Sequence, residues 1–100
     1  MFSSGNTISQ NTITNNWSHG IELFLSCKNN TISSNNITSN GLVINYSYSY
    51  NIYIYLSSSG NIIKGNNIRL SQEVGIYIQN SKDNTIVENN ISETTHAIAW

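Results

Sequence analysis

The chain has no proline, one cysteine and one methionine, and nine charged side chains among its 100 residues. Each scarcity closes off a class. Without proline, no ring interrupts a ladder of backbone hydrogen bonds. With Cys27 alone, no internal disulfide can form, and no Cys or His lies in the neighbouring repeat positions. Cys27 reads as a small side chain at a strand end. Four Lys and Arg against five Asp and Glu give a net charge of −1. That is too little positive charge to track a phosphate backbone, so nucleic acid is not an expected partner. No apolar run approaches the length of a membrane-spanning helix. MFSSGNTI has neither a charged n-region nor an apolar h-region, so no signal peptide is expected in this chain. Amphipathic runs of helical period are also missing, which excludes a helical solenoid.

What is abundant is Asn (18), Ser (16) and Ile (16), half of the chain between them. Disordered polar tracts lack β-branched residues, whereas here Ile recurs in register. NTISQNTI at 6–13 returns as NTISSNNI at 30–37, NIIKGNNI at 61–68 and NTIVENNI at 84–91. A second pattern, GIELFLS at 20–26, returns as NIYIYLS at 51–57 and GIYIQNS at 75–81, and AIAW at 97–100 opens a fourth copy. Self-similarity at this period is the mark of a solenoid. Within the second pattern, apolar residues alternate at period two, as in a strand with one buried face. The columns read Ile21, Ile52, Ile76, Ile98 and Leu23, Ile54, Ile78.

Three short extended segments and three turns per repeat make one coil of a parallel β-helix. The expected fold is all-β: a right-handed, single-stranded parallel β-helix of about four coils, with three short strands per coil, over residues 1–100. Right-handedness follows the usual crossover preference. Ile32, Ile63 and Ile86 should point inward. The second repeat is longer than the others, and the extra residues form a loop insertion at 38–50, where a surface loop tolerates added length. Asn6, Asn30, Asn61 and Asn84 form one column, and Asn11, Asn35, Asn66 and Asn89 another. Both fall where the coil must turn. Asn tolerates a left-handed backbone there, and a stacked amide can bridge to its neighbours above and below. The first repeat starts within a few residues of Met1 and the last stops mid-strand at Trp100. The chain is therefore expected to be a piece of a longer protein, or a domain without its caps, with further coils or domains as neighbours.

The NNTIxxNNI…GIxLxxSxxN pattern, seen in NNTISSNNITSN and GIELFLSCKNNTI, resembles the parallel β-helix repeats of the NosD-type and the carbohydrate-binding and sugar hydrolysis families. The resemblance covers essentially the whole chain. It implies the fold and an exported location: extracellular, cell-surface or periplasmic. It leaves activity open among surface proteins, polysaccharide lyases or glycoside hydrolases, and periplasmic copper-processing proteins. Five glycosylation sequons, at Asn16, Asn29, Asn36, Asn45 and Asn90, are compatible with export.

Polysaccharide cleavage needs two carboxylates set close together, or several oxygen ligands for calcium. Glu22, Glu73, Asp83, Glu88 and Glu93 fall in five different columns, so no catalytic residue is assigned. His19 and His96 share a column three coils apart, about 14 Å at the usual strand spacing. They cannot share a metal, so neither a metal site nor a cofactor is expected. The suggestive surface is aromatic. Outward positions of the GIxIxxS strand are Glu22, Tyr53 and Tyr77 in one column and Phe24, Tyr55 and Gln79 in the next, with Tyr46, Tyr48 and Tyr50 in the insertion. Two readings stand. The rings can receive the apolar faces of sugars, with Tyr53, Tyr55, Tyr77, Glu22 and Gln79 contacting a glycan. Alternatively they stabilise parallel pairing and are covered by a neighbouring domain.

Overall fold

A computed structural model describes residues 2–41 and 49–100 of the chain. Strands come in threes. The first coil holds β1 (Thr7–Ser9), β2 (Thr12–Thr14) and β3 (Ile21–Phe24). The second holds β4 (Thr31–Ser33), β5 (Asn36–Thr38) and β6 (Ile52–Tyr55). The third holds β7 (Ile62–Lys64), β8 (Asn67–Arg69) and β9 (Val74–Gln79), and the fourth β10 (Thr85–Val87), β11 (Asn90–Ser92) and β12 (His96–Ala99). Each strand pairs in parallel with its equivalent one coil on, giving three four-stranded sheets, β1-β4-β7-β10, β2-β5-β8-β11 and β3-β6-β9-β12. This is a parallel β-helix of four coils. Of the 38–50 insertion, residues 42–48 lie outside the described residues, and Tyr46 and Tyr48 with them.

Register follows the isoleucines. Ile8, Ile32, Ile63 and Ile86 pair in one column, and Ile13, Ile37, Ile68 and Ile91 in another. Strands of three residues offer one inward position each, and Ile fills it with a stiff β-branched side chain suited to a pleated surface. In the middle coils Ile32, Ile37, Ile52, Ile54, Ile63, Ile68 and Ile76 are fully buried. In the outer coils Ile8, Ile13, Ile86 and Ile91 are only partly buried against the same core.

The corners are built differently from the sequence expectation. The ladder asparagines do not adopt the left-handed conformation; the residue before each one does. Gly5, Asn29, Gly60 and Asp83 precede one ladder and Gln10, Ser34, Gly65 and Glu88 the other. At a third corner Asn15, Ser39, Leu70 and Glu93 do the same, and over all twelve residues φ runs from 53° at Leu70 to 71° at Gly60. The left-handed residue turns the chain, and at Gln10, Asn15, Asn29, Ser34, Asp83, Glu88 and Glu93 its side chain is exposed. The Asn that follows turns its amide under the corner, where it satisfies the backbone that the turn leaves open. Asn66 is representative. Its Nδ2 donates to Ile32 O and to Asn89 Oδ1, and its backbone N–H donates to the same Asn89 oxygen, all at 2.9 Å. The third corner carries a shorter ladder that the repeat alignment missed: Asn16 Nδ2 donates to Asn40 Oδ1, and Asn40 Nδ2 to Asn51 Oδ1. Ser71 is buried in the third coil, where the ladder would continue, and its hydroxyl has no partner among the described residues.

Gly20 immediately precedes β3, and Gly75 occupies the equivalent place within β9, for want of space. A Cβ on Gly75 would lie 2.8 Å from Ile91 Cγ2 and 2.9 Å from Ala97 O, and one on Gly20 2.7 Å from Asn51 O. The GI motif therefore records a close approach of coils, not flexibility.

Candidate functional site

The outer face of the β3-β6-β9-β12 sheet gathers the polar and aromatic side chains. Period-two alternation sends Ile21, Leu23, Ile52, Ile54, Ile76 and Ile78 inward and leaves the intervening residues outside. Glu22 pairs with Tyr53 and Tyr53 with Tyr77; Phe24 pairs with Tyr55 and Tyr55 with Gln79. All five residues proposed from sequence to contact a glycan thus share one face. Glu22 and Gln79 are exposed at its edges, and the three tyrosines are half-buried by one another.

The rings form a continuous stack. Tyr53 lies on Tyr55 with centroids 4.1 Å apart and planes 7° from parallel, and Tyr77 continues the array at 5.4 Å and 12°. Phe24 stacks on Tyr55 at 5.0 Å. Two hydrogen bonds run diagonally across the strands and pin the hydroxyls: Tyr55 donates to Glu22 Oε1 at 2.7 Å, and Tyr53 to Gln79 Oε1. Donation to Glu22 holds the Tyr55 hydroxyl in its protonated form, and its pKa is pushed up to about 12. Burial raises the Tyr53 pKa as well, with Tyr77 and the Glu22 charge adding to it.

His19 and Tyr50 extend the cluster beyond the residues proposed from sequence. Their rings stack at 5.4 Å, and Tyr50 meets Tyr53 and Tyr77 at 5.1 and 4.8 Å. His19 Nδ1 accepts the Tyr50 backbone N–H at 3.0 Å. Burial lowers the His19 pKa, against an opposing pull from the Glu22 carboxylate. His19 lay one residue before the GI repeat, outside the alternating pattern, so strand periodicity gave it no role on this face.

The aromatic column stops at the fourth coil. The residue in register with Tyr77 on β12 is Ala99. A methyl group follows a phenol ring, and the space left over is a cavity of about 270 Å3 lined by Tyr50, Glu73, Val74, Tyr77, His96 and Ala99. Glu73 and His96 bring a carboxylate and an imidazole to its wall. Neither was assigned a ligand role from sequence. The signal was present in the replacement of IYIQ by IAW, but it becomes visible as a space only once the register is fixed.

Copper, raised by the NosD-type resemblance, prefers thiolate, thioether or imidazole donors converging on one point. Among the described residues no three His, Cys, Asp or Glu side chains converge. Cys27 is buried and its Sγ donates to Phe24 O at 3.1 Å. His19 has one nitrogen engaged by Tyr50, and His96 lies three coils away. These donors do not fit a copper site, and no chemistry is assigned through the metal.

Comparison with known protein families matches residues 1–100 to the family described as periplasmic copper-binding protein (NosD). No curated protein and no solved structure matches the chain. With the match spanning every residue of a fold whose coils follow the same repeat, the chain belongs to the NosD family of periplasmic β-helix proteins.

Proposed function

We propose that this chain is a non-catalytic β-helix scaffold of an exported, periplasmic protein, and that its aromatic face contacts glycans. The observation that carries the reading is the cavity opened where Ala99 follows Tyr77. Along the rest of the column the rings stack on one another, as Tyr77 does on Tyr53. At Tyr77 an aromatic surface lines a space instead, with a carboxylate and an imidazole beside it. That combination suits a sugar, whose C–H face lies on a ring while its hydroxyls find polar partners. At about 270 Å3 the space is smaller than a site for a drug-sized ligand, which spans roughly 300–1,000 Å3. It takes one sugar ring, with neighbouring rings running over Tyr53, Tyr55, Glu22 and Gln79. One carboxylate, Glu73, lines it, whereas glycoside cleavage uses a pair, so the reading is one of binding.

The test is titration with neutral oligosaccharides, following backbone amide shifts. Saturable shifts at Tyr77, Glu73, His96 and Ala99 are expected, with a Kd near 1 mM, or about −4 kcal/mol. Ala99→Tyr extends the ring column into the cavity and should abolish binding while leaving the fold intact. Unchanged affinity in both Ala99→Tyr and a Tyr53→Ala/Tyr77→Ala double variant would refute the site and leave the scaffold alone.

A further inference from the structure

A second cavity lies at a corner away from the aromatic face. It occupies about 450 Å3 and is lined by Lys28, Ser57, Ser59, Asn80, Ser81 and Lys82. Its composition is unusual for this molecule. The chain has four Lys and Arg against five Asp and Glu, yet two of the four cations line this one space and no carboxylate does. The only ion pair among the described residues is Arg69 with Glu93, so neither lysine is neutralised by a side-chain partner there.

The fold explains the convergence. Asn29 N–H donates to Ser59 O, and Gly60 N–H donates to Lys82 O. These bonds put Lys28, Ser59 and Lys82 at equivalent positions in three successive coils, with the serine between the lysines. The two lysine backbones are two coil spacings apart, roughly 10 Å, and each flexible four-carbon stem can bring its ammonium over Ser59. The hydroxyls divide into two sets. Ser58 and Ser81 have hydroxyls engaged by the chain itself: Cys27 N–H donates to Ser58 Oγ and Ser58 N–H to Ser81 Oγ. Ser57 and Ser59 are solvent-accessible and make no side-chain hydrogen bond within the described chain. Asp83, next in sequence to Lys82, belongs to the left-handed corner column with Asn29 and Gly60 and does not line the space.

We infer that this corner binds a phosphate or sulfate group, held between the ammonium groups of Lys28 and Lys82 and hydrogen-bonded by the hydroxyls of Ser57 and Ser59. Two like charges facing one cavity repel each other, and a multiply charged oxyanion between them turns that repulsion into attraction. Lysine acts on such a group as a point charge with rotatable donors, while serine supplies directional ones. The site is independent of the aromatic face, and either can fail without the other.

The test uses inorganic phosphate as probe, with chloride at matched ionic strength as control, and reads amide shifts. Saturable shifts at Ser57, Ser59, Ser81 and Lys82 are expected, and Lys28→Gln/Lys82→Gln should weaken binding at least tenfold. Lys64→Gln removes the same charge from β7, outside the cavity, and should leave the affinity within twofold of wild type. Two further arms separate the sources of the anion: a hexose phosphate in solution, and sedimentation with vesicles of anionic phospholipid. Tighter binding of either, lost in the double lysine variant, supports the site and names its source. Shifts that never saturate, or an equal loss in Lys64→Gln and the double variant, would show general charge screening and overturn the inference.

Discussion

The side-chain oxygen of Asn66 accepts two hydrogen bonds from Asn35, one from its backbone N–H at 2.9 Å and one from its Nδ2 at 3.0 Å. Since Asn66 Nδ2 also serves Ile32 O and Asn89 Oδ1, one amide closes the corners of three coils. Asn66→Ala leaves several buried groups without partners, at about 1–3 kcal/mol each. A total loss of about 3–5 kcal/mol in chemical denaturation is expected. Asn66→Asp keeps the acceptor but turns a carboxylate toward Ile32 O, and should be no better tolerated than Ala. A melt within 1 kcal/mol of wild type for either variant, by the same scale of costs, would show that the ladder is ornamental.

Ile63 is fully buried in a middle coil, and Ile63→Asn places an unpaired amide in a dry core. We expect a loss of about 3–5 kcal/mol. Tyr53→Ser removes ring contacts on the outer face and should cost less, about 1–2 kcal/mol, since each aromatic pair contributes roughly 0.5–1.5 kcal/mol beyond burial. Thermal melts of the two variants decide it, and equal losses would mean that the inward and outward faces had been exchanged.

The raised Tyr55 pKa has a single main cause, and removing that cause should return it. In Glu22→Gln the carboxylate that accepts the Tyr55 hydroxyl is gone, so the tyrosinate titration should move down from about 12 toward the ordinary value of 10.0. A folded-state pKa above the unfolded one means that the associated stability is present below pH 10.0 and lost as pH rises toward about 12. Wild type should therefore lose stability across that window more steeply than Glu22→Gln. An unmoved tyrosinate titration would mean that the Tyr55–Glu22 bond is not formed in solution.

His19 gives the opposite sign. Its folded pKa is lowered from 6.5, so the unfolded chain binds the proton more readily. Its contribution is complete above pH 6.5 and is lost as pH falls through the folded value. Protonation of Nδ1 would also remove the acceptor used by Tyr50 N–H. Stability should decline from neutral to mildly acid pH, and His19→Gln should flatten that decline. A decline of the same slope in the variant would assign it to other groups.

The path of the chain was legible because Ile and Asn recur at fixed offsets and a parallel coil places equal residues beside equal residues. Ile63 could be put inside, Asn66 at a turn, and Tyr53 outside, from spacing alone. The conformation of the corners was not legible in the same way. Before the two full ladders the left-handed positions are filled by Gly, Asn, Ser, Gln, Asp and Glu, a set that shares no side-chain chemistry, because the requirement falls on the backbone and the following Asn supplies the hydrogen bonds. The third ladder was hidden because Ser71 interrupts it and Asn51 completes it from within the longer second repeat. The two cavities were hidden for a related reason. Each depends on residues that differ between coils, Ala99 after Tyr77 and Lys on either side of Ser59, and a repeat alignment treats such differences as noise.

The asparagine ladders also give the molecule a direction. In the two full ladders the side-chain carbonyl accepts from the coil before, and the amide nitrogen donates to the coil after, as Asn6 to Asn30, Asn30 to Asn61 and Asn61 to Asn84 do. The amide dipoles therefore align head to tail and polarise one another along the axis. Two such files run the length of the solenoid, with a shorter third beside them, so its two ends are electrically unlike: one presents carbonyl oxygen, the other amide hydrogen. A coil added in the reverse sense would meet like poles. The ladders thus do more than close turns, because they set the sense in which successive coils can stack.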